Sequence, residues 1–273
     1  MSDVILSAEG LVKAFSVKRL GAGGRESFLA VDTVGFTLHR GGALAIVGES
    51  GSGKSTCARM IVGLERATAG TLVVEGRDWN MTRRLSTAER RRRGGVVQMV
   101  FQDPYQSLDP RQRAGDCIDE ALRLHTALSP VARRARVAEL FGQVRLDPGI
   151  GQAYPKTLSG GQRQRVAIAR ALAAEPRILI LDEAVSALDV SIQRDVLAVL
   201  SGIRADTGVS FLFISHDLPV VRSLCDDVVV LRNGTVVEAG RVQAVLDDPQ
   251  NDYTRRLIDS VPRRGWKPRR RAA

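Results

Sequence analysis

Cysteine is scarce in this chain. Cys57, Cys117 and Cys225 are the only three among 273 residues, and they lie far apart without metal-ligand spacing. An odd, sparse set argues against a disulfide framework and fits a reducing compartment. Long apolar runs are missing too. No uninterrupted stretch approaches the roughly 20 residues needed to span a bilayer, so any membrane role is expected to come through a partner. The opening "MSDVILSAEG" lacks the basic segment and apolar run of a signal peptide. No internal repeat is evident. What is there suits a large buried core: 44% of residues are hydrophobic and 26% charged. The length fits one large α/β domain, or one domain with an inserted subdomain. The formal net charge of +10 is compatible with nucleic acid, an anionic membrane face or a merely arginine-rich composition.

Along the chain the texture changes twice. "VILSAEGLVKAF" and "LAVDTVGFTLHRGGALAIV" read as β-rich, with "GAGGRES" between them as a surface loop. "STCARMIVGLE" has helical spacing and is expected to end near Gly70, before a short strand "GTLVVEG". A basic helix-and-loop stretch, "MTRRLSTAERRRRGG", precedes the strand "VVQMVFQ". From Pro104 to about Arg170 apolar positions recur at helical spacing, punctuated by Pro130 and Pro148. Strand signals return in "RILILD", "VSFLFIS" and "DDVVVLRNG". Strands alternating with helices predict a mainly parallel sheet covered by helices. The final "RRGWKPRRRAA" is expected to be a mobile tail.

Two stretches carry phosphate chemistry. Gly48, Gly53, Lys54 and Ser55 satisfy G-x-x-x-x-G-K-[ST], with Gly51 adding a third glycine, and the pattern follows a strand and opens a helix. Glycines let successive backbone N–H groups curl towards phosphate oxygens, and the helix adds its positive end. Lys54 can reach the β- and γ-phosphates and Ser55 can ligate Mg²⁺. Further on, "ILILDE" places Asp182 at the end of a buried strand, where it can hold the Mg²⁺ through water, and Glu183 beside it, where it can orient or deprotonate an attacking water. A carboxylate pair ending a buried strand is costly unless a cation and hydrogen bonds compensate. The competing reading is an N-cap for the next helix. Ser159, Gly160, Gly161 and Gln162 precede an arginine-rich helix, a second anion-binding turn or simply a capped surface helix.

Taken in order, these residues resemble the ATPase subunits of ABC transporters over nearly the whole chain. "GESGSGKST" (Gly48, Glu49, Ser50, Gly51, Ser52, Gly53, Lys54, Ser55 and Thr56) is similar to the Walker A loop, "LSGGQ" to the signature and "ILILDE" to Walker B with its catalytic glutamate. Gln102 matches the Q-loop, with a role in catalysis and at the metal. Ser186 to Asp189 match the D-loop, and His216 in "ISHD" matches the switch histidine. Phe15 occupies the position of the aromatic that stacks on adenine, with packing of a β-subdomain as the alternative. The resemblance implies a RecA-like P-loop ATPase core with an antiparallel β subdomain and an inserted helical signature subdomain. The single cassette would span residues 1–273: core about 1–103 and 171–245, helical subdomain about 104–170, C-terminal extension about 246–273. It implies ATP and Mg²⁺ as cofactors. It also implies a second cassette packed head to tail, so that Lys54 serves one nucleotide and Ser159 the opposite one.

"MVFQDPYQSLDPR", "EAVSALDVSIQ" and "DPQNDYTRRLIDSVP" resemble the oligopeptide, dipeptide and nickel importer branch. Expected partners are therefore two transmembrane permease subunits and, indirectly, an extracytoplasmic binding protein, with the chain peripheral at the cytoplasmic face of the membrane. Tyr105 and Leu108 are candidate permease contacts or packing residues of the insertion. Many relatives in this branch carry a cysteine-rich C-terminal segment. Here Cys225 is the last cysteine, so no iron–sulfur cluster is expected. The leading expectation is an importer of oligopeptides or dipeptides. Import of nickel or a metal chelate is the alternative within the class, and a soluble ABC ATPase acting on ribosomes or nucleic acid the alternative outside it. "RRLSTAERRRRGG" reads as a solvated basic face, and no specific nucleic acid is expected.

Overall fold

A computed structural model describes residues 3–18, 25–79, 84–102 and 107–260. The loop "GAGGRES" lies largely outside these residues, and Tyr105 and the C-terminal "RRGWKPRRRAA" lie wholly outside them.

Two sheets form. In the first, β1 (Val4–Lys18) pairs antiparallel with β2 (Arg25–His39) and with β4 (Ala69–Val74), and β5 (Arg77–Asp78) closes the order β2-β1-β4-β5. In the second, β3 (Ala43–Val47), β6 (Val97–Val100), β7 (Ile178–Asp182), β8 (Ser210–Ser215) and β9 (Asp227–Arg232) run parallel, and β10 (Thr235–Arg241) pairs antiparallel at one edge, giving the order β10-β9-β3-β8-β7-β6.

Strands β3, β7 and β8 are buried at every position, which is why they read as continuous apolar runs rather than alternating ones. Side chains nevertheless alternate between two cores. Ala45, Val47, Leu179, Leu181, Phe211 and Phe213 face one cluster. There they meet α3 (Ala114–His125), α4 (Pro130–Gln143) and α5 (Gly160–Leu172). Leu44, Ile46, Ile178, Ile180, Leu212 and Ile214 face the other, packed on α1 (Lys54–Ile61) and the antiparallel sheet. Leu108 is 2% exposed within the first cluster, so of its two sequence readings the structure gives packing. The cysteines are free and buried.

Some boundaries differ from the sequence reading. "LAVDTVGFTLHRGGALAIV" is two strands in two sheets, broken at Arg40–Gly42 where Gly41 turns with φ 66°. The helix after Lys54 stops at Ile61, well before Gly70, because Gly63 takes φ 77°. The basic stretch forms α2 (Thr87–Gly94), opened by a capping box of Ser86 and Glu89. Pro130 starts α4 behind the N-cap Ser129, and Pro148 starts a 3₁₀ turn, Pro148–Gln152. Beyond β7 come α6 (Val190–Thr207) and α7 (Leu218–Leu224). After β10 the chain adds α8 (Val242–Asp247) and α9 (Asp252–Asp259).

Candidate phosphate-binding site

The site residues collect at the carboxyl ends of β3, β6, β7 and β8, the crevice where open parallel sheets bind ligands. Residues 48–53 form the link from β3 to α1. All three of its glycines take positive φ, Gly51 at 81° with open space around it, and none can be replaced without strain. Gly48 has φ 151°, and a Cβ there would sit 2.2 Å from the Leu231 carbonyl oxygen; Gly53 has φ 101°, and a Cβ would sit 2.5 Å from the Ala30 carbonyl oxygen. The loop is thus walled by the β9–β10 turn on one side and β2 on the other. Gly234 donates its N–H to the Ser52 carbonyl at 3.0 Å, and its own carbonyl accepts from Asp32 N at 2.8 Å.

Lys54, the first residue of α1, is 5% exposed. Its Nζ donates to the carbonyl oxygens of Gly48 and Glu49, both at 2.8 Å. An ammonium carries three donors, so one N–H is left over. Burial lowers its pKa, against the pull of Glu183, Asp182 and Glu49. The hydroxyl of Ser52 is likewise buried and has no hydrogen-bond partner among the described residues. A buried cation and an orphaned hydroxyl inside a glycine loop are groups an anion would satisfy.

Ser55 Oγ donates to Asp182 Oδ1 at 2.9 Å. Asp182 ends β7 at 6% exposure. Burial raises its pKa and the neighbouring Glu183 charge adds to the rise, while the Ser55 hydrogen bond, Arg59 and Lys54 oppose it. Two oxygen donors side by side, one ionisable, match the few protein ligands that Mg²⁺ takes when phosphates complete its shell.

Glu183 turns away from the strand with φ 47°, an uncommon conformation for a residue with a Cβ. Its N–H still pairs with the Ile214 carbonyl at 2.9 Å. Its carboxylate accepts from Gln102 Nε2 at 2.8 Å and lies 3.5 Å from His216 Nδ1. Gln102, Glu183 and His216, which follow β6, β7 and β8, are therefore brought together.

The signature-like turn is built separately. Ser159 N-caps α5; its Oγ accepts from Gln162 N at 3.2 Å and Gln162 Oε1 accepts from Ser159 N at 2.9 Å. Ser159 is exposed, whereas Gly161 is buried and a Cβ on it would lie 2.3 Å from Ile192 Cγ2. Gly160 has ordinary space, its Cβ meeting Leu188 Cδ2 at 3.5 Å. Among the described residues no hydrogen bond or ion pair joins residues 159–162 to residues 48–56. Asp189 starts α6 without a side-chain cap bond, and four residues on Gln193 Nε2 donates to Asp217 Oδ2 at 2.9 Å, tying α6 to the turn that carries His216. Glu49 and Ser50 are exposed on the loop, and Thr56 is half-buried in α1.

Phe15 sits on β1 opposite Phe28 of β2, with the Lys13 ammonium 4.6 Å from its ring centroid. Phe28, 56% exposed, escapes a sequence reading because only strand register reveals the pair. Tyr253 of α9 escapes it too: its hydroxyl accepts the Glu49 N–H at 3.0 Å, 204 positions away in the chain.

The family profile described as ABC transporter matches residues 31–186. A putative peptide import ATP-binding protein of Brucella abortus is 44% identical over 96% of this chain and 78% of its own length. The di/tripeptide transport ATP-binding protein DppF of Pseudomonas aeruginosa is 42% identical over 95% of this chain and 80% of its own. Among solved structures, the ATP-binding cassette MJ0796, a dimer in a post-hydrolysis state with ADP and Pi, aligns at TM-score 0.75 and 28% identity over 87% of this chain and 98% of that one. CbiO1 of Clostridium perfringens, part of the transporter complex cbiONQ, aligns at TM-score 0.76 and 26% identity over 90% and 92%. With that fold, that order of motifs and those relatives, the chain belongs to the ABC transporter family.

Proposed function

We propose that this chain is the ATP-hydrolysing subunit of a membrane importer for peptides, most closely for dipeptides or oligopeptides. The observation that carries it is the convergence of Lys54, the Ser55–Asp182 pair and the Glu183–Gln102–His216 cluster at the ends of neighbouring parallel strands. The names of the relatives, which specify peptide import in one case and di/tripeptide transport in the other, favour this cargo over nickel and over a soluble role on ribosomes or nucleic acid.

In this reading the loop Gly48–Thr56 holds the phosphates of ATP, and Phe15 supports the adenine. Mg²⁺ would be held by Ser55 and Asp182, with Gln102 as a further candidate ligand, and when bound it would neutralise phosphate charge. Glu183 takes the proton of the attacking water; Gln102 and His216 hold its carboxylate in place. Ser159, Gly160, Gly161 and Gln162, with Asp189, serve a nucleotide bound by a second cassette. One cassette then spans the chain, with its core about 1–103 and 171–245, helical insertion about 104–170 and C-terminal extension about 246–273. No helix among the described residues is long and apolar enough to cross a membrane. In this reading the chain works at the cytoplasmic face of the membrane, attached to two permease subunits that a binding protein supplies.

The test is reconstitution with the permease pair in proteoliposomes, supplied with binding protein and ATP. ATP-dependent uptake of labelled di- to pentapeptides is expected. Uptake of Ni²⁺ or a chelate without peptide uptake would overturn the cargo assignment.

A further inference from the structure

We infer that Tyr253 is a positioning residue for the phosphate loop, through which the C-terminal helix α9 sets the loop's first turn and so its affinity for nucleotide. The inference rests on the phosphate-loop reading of Gly48–Thr56 given above.

The backbone of Glu49 is held on both sides of its Cα. Its N–H is accepted by the Tyr253 hydroxyl at 3.0 Å, and its carbonyl accepts from Lys54 Nζ at 2.8 Å. One hold comes from inside the motif, the other from an element some 200 residues later in the chain. Tyr253 is itself fixed from several sides. It is 4% exposed. Its own N–H donates to Asn251 Oδ1 at 2.8 Å. Asn251 is bonded in turn to β10, through Glu238 Oε2 at 3.2 Å and the Val237 carbonyl at 3.3 Å. The Arg232 guanidinium stands 5.1 Å from the Tyr253 ring centroid, at the end of the strand whose Leu231 carbonyl bars a side chain at Gly48.

Packing alone would ask only for the ring. A phenylalanine would fill the same space and keep the cation–π contact, whereas a buried hydroxyl costs free energy unless it is hydrogen-bonded. Its partner here is the phosphate loop and not the core. Ser52 N–H donates back to the Glu49 carbonyl at 3.2 Å, so fixing Glu49 N–H sets the turn on which the remaining loop N–H groups are arranged before any anion arrives. Such preorganisation shows as affinity.

The experiment compares the full chain with its Tyr253→Phe variant in two measurements. The first, on nucleotide-free protein, is amide hydrogen exchange at Glu49 and its loop, alongside exchange in β7 and β8. Exchange should rise about two- to tenfold in the loop and stay unchanged in the strands. The second is equilibrium titration with a fluorescent ATP analogue and Mg²⁺. Affinity should fall about two- to tenfold, the size expected for one neutral hydrogen bond. In the assembled transporter, KM for ATP should rise by the same factor with kcat unchanged. Equal affinity and equal loop exchange in the two proteins would overturn the inference, and so would an exchange increase spread over the strands, which would make Tyr253 a general packing residue. A wild-type chain that failed to bind the analogue would overturn the phosphate-loop reading itself, and this inference with it.

Discussion

Gln102 and Glu183 are joined side chain to side chain: the Gln102 amide donates to Glu183 Oε2 at 2.8 Å, and the other carboxylate oxygen lies 3.5 Å from His216. The two neighbours follow β6 and β8, the strands that flank β7 on either side, so the carboxylate's position reports the relative placement of three parallel strands. Glu183→Gln keeps shape and one acceptor but removes the base. Single-turnover hydrolysis in an assembled transporter should fall about 10²–10⁴-fold while ATP still binds. In a mixed dimer the unmutated second site must be silenced first.

Lys54→Ala removes the buried ammonium and frees the carbonyls of Gly48 and Glu49. Charge-assisted hydrogen bonds contribute about 1.5–3 kcal/mol, so ATP affinity should fall roughly ten- to a hundredfold or more. Equilibrium titration with Mg²⁺ present, on protein shown to be folded, decides it.

The signature-like turn offers two glycines with opposite surroundings. Gly160→Asp adds a carboxylate at a position with ordinary space, at the start of α5 where negative charge suits the helix. The lone chain should bind ATP normally, and ATP-driven association with a second cassette should fail through like-charge repulsion. Gly161→Ala instead drives a methyl into Ile192, and should cost about 1–3 kcal/mol by overpacking, read by urea unfolding of the lone chain. Normal association by Gly160→Asp would remove the two-sided nucleotide site.

Asp182 gives a pH signature. Burial raises its folded-state pKa, so its ionised form opposes folding. That opposition is absent below the unfolded pKa of about 3.9, grows as pH rises above it, and is complete once pH has passed through the folded value. Asp182→Asn should therefore stabilise the nucleotide-free chain at neutral pH by on the order of 1 kcal/mol. The gain should shrink as pH falls towards about 4. The same variant should lose the Mg²⁺ dependence of ATP binding. Unfolding curves at several pH values check the first part, and titration with and without Mg²⁺ the second.

Much of the arrangement around Lys54 and Asp182 was legible because each motif is local. A buried strand, a glycine turn and a helix start all fall within about a dozen positions, and the Ser159–Gln162 capping box falls within four. The parallel sheet was legible from the continuous apolar runs of β3, β7 and β8. Other features depend on partners distant in sequence. The break at Gly41 is invisible in an unbroken β-rich run, since only the assembled sheets show that β2 and β3 part company. Strand β10 carries glutamate and glycine in half-exposed or exposed positions and shows little alternation. The Phe15–Phe28 pairing and the Tyr253–Glu49 bond need register and tertiary packing that composition does not encode.

The walls of the phosphate loop are made late. Glu49 leaves the ribosome long before Leu231, Gly234 and Tyr253, the groups that close around its loop. At about 5–20 residues per second, the gap of 204 residues lasts roughly 10–40 s. During that interval a nascent chain carries the complete glycine–lysine motif without the surroundings that shape it. Capacity to bind nucleotide should therefore appear only once Tyr253 has emerged, and ribosome-stalled chains ending before residue 231 should carry the motif but fail to retain ATP.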